Sequence, residues 1–146
     1  LDAAHYDILT LNSASIPGLD FISTGGSLDR IAKTKTIADY DPAYKYLNVC
    51  VTAVENDSTC FKCVRTMLTL DALGKLDKFS AVFDVQYYMN HRKKYIERMY
   101  ADGKFGNDES LLLLFPLFKS ELTIRVKISA IIHKVQNAVR CRIFKR

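Results

Sequence analysis

Apolar and polar positions change period along the chain. Tyr6-Asp-Ile-Leu-Thr-Leu11 and Tyr46-Leu-Asn-Val-Cys-Val51 are short apolar runs that predict two strands near the N-terminus. Between them, Ser27 is a suitable N-cap for a helix through about Tyr40, with Leu28, Ile31 and Ile37 facing inward and Asp41-Pro42 as its break. After residue 60 the period is helical. Val64, Met67, Leu68 and Leu73 form one face of a helix that starts at Cys60 and stops at Gly74. Leu76 to Val85 continues as helix or tight turn, and Tyr87 to Ala101 predicts a long polar helix stopped near Gly103. Asn107 caps a helix built on Leu111-Leu-Leu-Leu-Phe115 and ended or bent by Pro116. From Ser120 to Phe144, Ile124, Ile128, Ile131, Val135, Ala138 and Val139 recur at helical spacing, which predicts a terminal helix over the second half, packed on the core with a basic outer side; over the first half the alternation of Leu122, Ile124, Val126 and Ile128 fits an extended segment as well. The expected class is an α/β fragment, mainly α, with two short strands and then a helical region. Residues 1–75 and 76–146 form its two portions within one structural unit.

With 146 residues, 49% of them hydrophobic, the chain is long enough for one core. No run of about 18 apolar residues predicts a membrane span, and the first residues lack the basic and apolar regions of a signal peptide. There is no initiator Met, and the chain opens almost directly in a strand-like run, as expected of a piece of a longer protein. The net charge of +5 is uneven: residues 119–146 carry +7 and the remainder −2. Any acidic or nucleic-acid partner is therefore expected on the Arg125–Arg146 helix. A homo-oligomer is a further expectation.

Three of the four cysteines fall in one stretch. Cys60 and Cys63, at i and i+3 in a first helical turn, direct their sulfurs to one side, and the helix N-terminus favours the thiolate that metals require. Cys50, at a strand end, can reach the same point. The C-x2-C clustering points to a reduced, cytoplasmic setting and to zinc, which takes four ligands in a structural site. Three are here, and Cys141, the remaining cysteine, is one candidate for the fourth place. The alternative is a set of small buried cysteines without metal.

These residues resemble the closing part of PP-loop ATP pyrophosphatase superfamily enzymes of the 7-cyano-7-deazaguanine synthase type, over roughly residues 5–75. Ser27-Leu-Asp-Arg30-Ile-Ala-Lys33 looks like their Ser/Arg-x-x-Lys helix, Leu47-Asn-Val-Cys50 like the strand closing on a cysteine, and Cys60-Phe-Lys-Cys63-Val-Arg-Thr66 like the end of their C-x2-C-x2-C. The first cysteine of that motif falls on Asp57, a departure from the pattern. The resemblance implies a metal set of Cys50, Asp57, Cys60 and Cys63, and contacts from Ser27, Arg30 and Lys33 to a phosphate or acidic substrate. It also implies a part in an ATP-dependent, adenylating enzyme.

The superfamily's Ser-Gly-Gly-x-Asp-Ser loop is not found in this sequence. Ser23-Thr-Gly-Gly-Ser-Leu-Asp29 has an extra residue and no closing Ser, and it reads as a glycine loop before an ordinary helix. ATP would thus come only with a missing N-terminal part. A non-enzymatic module that uses the basic C-terminal helix on RNA or another acidic partner is the alternative function, and a Cys60–Cys63 redox protein a third. His5, His91 and His133 are scattered, and Asn90-His-Arg-Lys-Lys-Tyr95 is a basic-aromatic run on a helix.

Overall fold

The computed structural model describes residues 7–24, 26–106 and 108–143. It is mainly helical: α1 Asp7–Ser13, α2 Arg30–Ala38, α3 Ala43–Tyr46, α4 Phe61–Ala72, a 3-10 turn Leu76–Phe79, α5 Val85–Phe105, α6 Glu109–Leu112 and α7 Ile124–Ile143. The long α5 is the spine, and α4, α6, α7 and the 3-10 turn all pack on it. Tyr88, Tyr95, Ile96 and Met99 recur at helical spacing on its buried face, and α4 answers with Cys63, Met67, Leu68 and Leu70. One cluster of buried residues runs from Ala38 to Val126.

Among the described residues there is no strand, only an isolated antiparallel bridge between Ile16 and Leu19. Both expected strands are therefore corrected. Residues 7–11 open α1, where Leu9 is exposed and no neighbouring strand offers a ladder; Tyr6 lies outside the described residues. Tyr46 closes α3, and residues 47–50 run as an irregular segment. Leu47 N–H donates to Ala43 O, and two further amides are taken by side chains instead of by a sheet: Val49 N–H donates to Asn56 Oδ1 at 2.9 Å and Cys50 N–H to Asn48 Oδ1 at 3.0 Å.

The helix after the first loop is shorter than Ser27–Tyr40. Asp29, rather than Ser27, is its N-cap, with Oδ1 accepting from Ala32 N at 2.7 Å. Ala38 is its buried residue and Ile31 packs on the core, whereas Leu28 and Ile37 are exposed. At the end of α4, Gly74 has φ +65°, and Lys75 N–H donates to Leu70 O while Gly74 N–H donates to Asp71 O. This is the glycine-terminated cap that Gly74 predicts.

α5 does not stop at Gly103. A Cβ there would stand 3.0 Å from the Phe115 ring, so this glycine is a slot for an aromatic side chain inside the helix. Asn107 lies outside the described residues, and Asp108 caps α6. In the Leu111–Phe115 run, Leu111 and Leu114 are buried while Leu112 and Leu113 are exposed. A polar junction ties this part together. Arg92 bonds Asp71 on α4 through Nε at 2.7 Å and grips Glu121 with both terminal nitrogens, and the buried Tyr88 hydroxyl donates to Asp71 at 2.8 Å.

The terminal helix presents a different face from the one expected. Ile124, Ile128, Ile131 and Val135 are 76%, 51%, 42% and 57% exposed. Val126 and Ala130 are buried instead, after Leu122 in the preceding turn. These residues, spaced by four and ending in a small one, allow closer approach to α5 than the isoleucine stripe would. The side chains of Ala138 and Val139 lie outside the described ones.

Candidate metal centre

Two turns of chain build the site. Cys60 is the N-cap of α4, its Sγ accepting from Cys63 N–H at 3.4 Å, and Cys63 follows one turn along, fully buried. Ahead of them Ser58 adopts a left-handed conformation, φ +57°, which turns the chain from Asp57 towards Cys60. Ser58 is buried, and its Oγ accepts from Asp84 N–H at 2.8 Å, docking the loop on the start of α5.

Asn56 supplies the other anchor. Its Nδ2 donates to Leu47 O at 2.7 Å and to Val82 O at 3.1 Å, while Oδ1 accepts from Val49 N–H and lies 3.7 Å from Cys63 Sγ. This side chain lays the Leu47–Cys50 segment beside α4, and Cys50 is delivered to the other two thiols. Asn56 and Thr52 were not singled out by the sequence reading. The available signal was their type: Asn and Thr between ligand positions favour loops fastened by side-chain-to-backbone bonds.

The donor atoms of Cys50, Asp57, Cys60 and Cys63 all lie within 4.8 Å of one another, close enough to hold a metal ion. Cys50 Sγ and Cys60 Sγ are 3.8 Å apart. Zinc–sulfur bonds of about 2.3 Å in a tetrahedron set an S···S edge of about 3.8 Å, so this pair already has the spacing of two ligands on one ion. The side chain of Cys141 lies outside the described ones, and the four-donor group is complete without it.

The thiols are not alike. Cys50 is lowered to about 6, first by the Thr52 hydroxyl and then by the Asp57 amide. Burial pushes Cys63 well above the ordinary thiol value. The Asp57 carboxyl is held far below its usual range by the Thr52 hydroxyl and the amides of Cys60 and Thr59. Thr52 has one proton and two claimants, since its Oγ lies 3.1 Å from Cys50 Sγ and donates to Asp57 Oδ2. It cannot donate to both at once. The neutral chain runs from the Cys50 thiol to Thr52 and on to Asp57, and only a Cys50 thiolate would draw the hydroxyl proton its own way.

Ser27, Arg30 and Lys33 are exposed, before and along the first turns of α2. Arg30 stands close enough to Arg65 to oppose its charge; Arg65, depressed first by burial, pairs with Asp108 at 3.0 Å. His91 bonds to Tyr87 O one turn earlier on α5. The basic-aromatic run on α5 is broken up, because Arg92 turns in to Asp71 and Glu121 and Tyr95 is buried. On α7, Lys134 pairs with Asp102 at 3.4 Å, and Lys127 lies over the Tyr100 ring. Two cations of the basic helix thus face α5. Among the described residues no helix is long and apolar enough to cross a membrane.

Comparison of the chain with protein families, with curated proteins and with solved structures finds no match.

Proposed function

We propose that Cys50, Asp57, Cys60 and Cys63 hold a zinc ion that fastens the Leu47–Thr59 loop to the start of α4. The metal-anchored unit is the closing part of an ATP-dependent, adenylating enzyme of the PP-loop type, where it walls the cleft and leaves the nucleotide to another part. The observation that carries the metal is the arrival of Cys50, ten residues upstream, at 3.8 Å from Cys60 and beside Asp57 and Cys63. Zinc suits the donors: it accepts thiolate and carboxylate together and imposes no geometry beyond what four donors provide. The PP-loop reading is supported by the order of three motifs, the Ser27–Lys33 segment that leads into α2, Cys50, and the Cys60–Cys63 helix start. On this view the ion supplies cohesion, and the protein's own part is to keep three sulfurs and Asp57 converged.

Elemental analysis of the purified chain is expected to give one zinc per molecule, and Cys60→Ser none. Metal-free protein would remove the centre. Calorimetric titration with ATP is expected to show no binding, and stoichiometric uptake would overturn the division of labour proposed for the nucleotide.

A further inference from the structure

The four donors divide into three and one. The three sulfurs are soft, and Cys63 is sealed in the core. Asp57 offers a hard oxygen, and its carboxylate is already occupied. Oδ1 accepts from Thr59 N–H at 2.9 Å and Cys60 N–H at 2.8 Å, and Oδ2 accepts from the Thr52 hydroxyl. Each of these bonds draws electron density from the oxygens and weakens their donation to a cation. Asp57 is also the one member of the group that lines an open groove of about 600 Å³ between residues 45–48 and 80–84. Asn48, Ser58, Ser80 and Asp84 share that lining. The volume falls in the usual range of about 300–1,000 Å³ for small-molecule sites. The weakest donor therefore belongs to the residue that borders this groove.

We propose that the metal position held by Asp57 is exchangeable, and that a thiol entering from this groove takes it as its thiolate. The inference rests on the metal reading above. In the exchange the thiol gives its proton to the buffer, a sulfur–metal bond forms and the Asp57 oxygen–metal bond breaks. Charge and atoms balance, with no oxidant or reductant. The freed carboxylate keeps its bonds from the Thr59 and Cys60 amides, so the loop holds its shape while the ion gains a fourth sulfur, the donor it prefers. A closed four-sulfur site lacks this opening; a Cys3Asp site has one position in reserve, as metal centres that bind ligands do.

Cobalt-substituted protein titrated with 2-mercaptoethanol tests the exchange. Sulfur-to-cobalt absorption is expected to rise saturably by about one third, as three thiolates become four. Asp57→Cys is expected to start at the higher intensity and not respond. Asp57→Asn, which keeps Oδ1 as the acceptor for both amides, is expected to reach half-saturation at lower thiol. A cobalt spectrum unmoved by thiol, one bleached by it, or Asp57→Cys responding like the parent would overturn the inference alone. Failure of the parent chain to take up cobalt would remove the centre as well.

Discussion

Between Leu47 and Thr59 the chain buries little apolar surface, with Val51 and Val54 64% and 91% exposed. Between Met67 and Met99 it supplies much of the core, with Met67, Leu70, Phe79 and Tyr88 all at 0%. The first region is shaped by polar side chains, Asn48, Asn56, Thr52 and Asp57, each bound to backbone or to its neighbour. The second is shaped by packing around α5, with Arg92 as its polar rivet. Packing needs nothing from outside. A loop held by single hydrogen bonds, each worth about 1 kcal/mol net, would gain far more from an ion that ties its Cys50 and Asp57 to Cys60 and Cys63 at the start of α4.

The contrast can be broken from either end. Phe79→Ala empties the centre of the packed region and is expected to cost about 3–5 kcal/mol in urea unfolding. Metal stoichiometry of the folded fraction should be unchanged. Removing the ion with a chelator is expected to lower stability by about 2.7 kcal/mol relative to protein held at a hundredfold excess over Kd. Backbone amide exchange should quicken between residues 48 and 60 and stay constant in α5. Equal quickening in both regions would mean that the two are one cooperative unit.

Asn56→Ala is expected to cost about 1–3 kcal/mol by leaving Leu47 O and Val82 O without a donor, and to weaken metal binding in the same protein. The smallest effect belongs to a surface pair. Lys75 bonds Asp39 at 2.7 Å and holds its carboxyl below the ordinary value. A depressed carboxylate pKa stabilises the fold above about pH 4 and is lost as pH falls through the native value. Lys75→Ala should therefore match the parent below that range and differ at most slightly at neutral pH, since exposed pairs contribute little.

The legible parts of the sequence were those where one local rule decides. The start of α4 was marked by Cys60 and its end by Gly74, whose φ no other residue adopts as cheaply. The convergence of Cys50 on Cys60 and Cys63 was legible from ligand types and spacing, and the place of Asp57 only from the resembling motif, without the loop's path being known. The two strands were not, because an apolar run of six residues fits a helix start or an irregular segment as well as a strand, and only a partner ladder selects the strand. Nor was the buried face of α7, which carries two apolar stripes. The choice between them was made by α5, through the close fit of Ala130 and the Asp102–Lys134 pair.

The junction at Tyr88 has an optical consequence. The chain has eight tyrosines and no tryptophan, so its near-ultraviolet emission is all phenol. Tyr88 directs its hydroxyl proton at the Asp71 carboxylate from a fully buried position, an arrangement that quenches the excited ring. Parting α4 from α5 would light that fluorophore, which gives the molecule an unlabelled clock for the opening of its own centre.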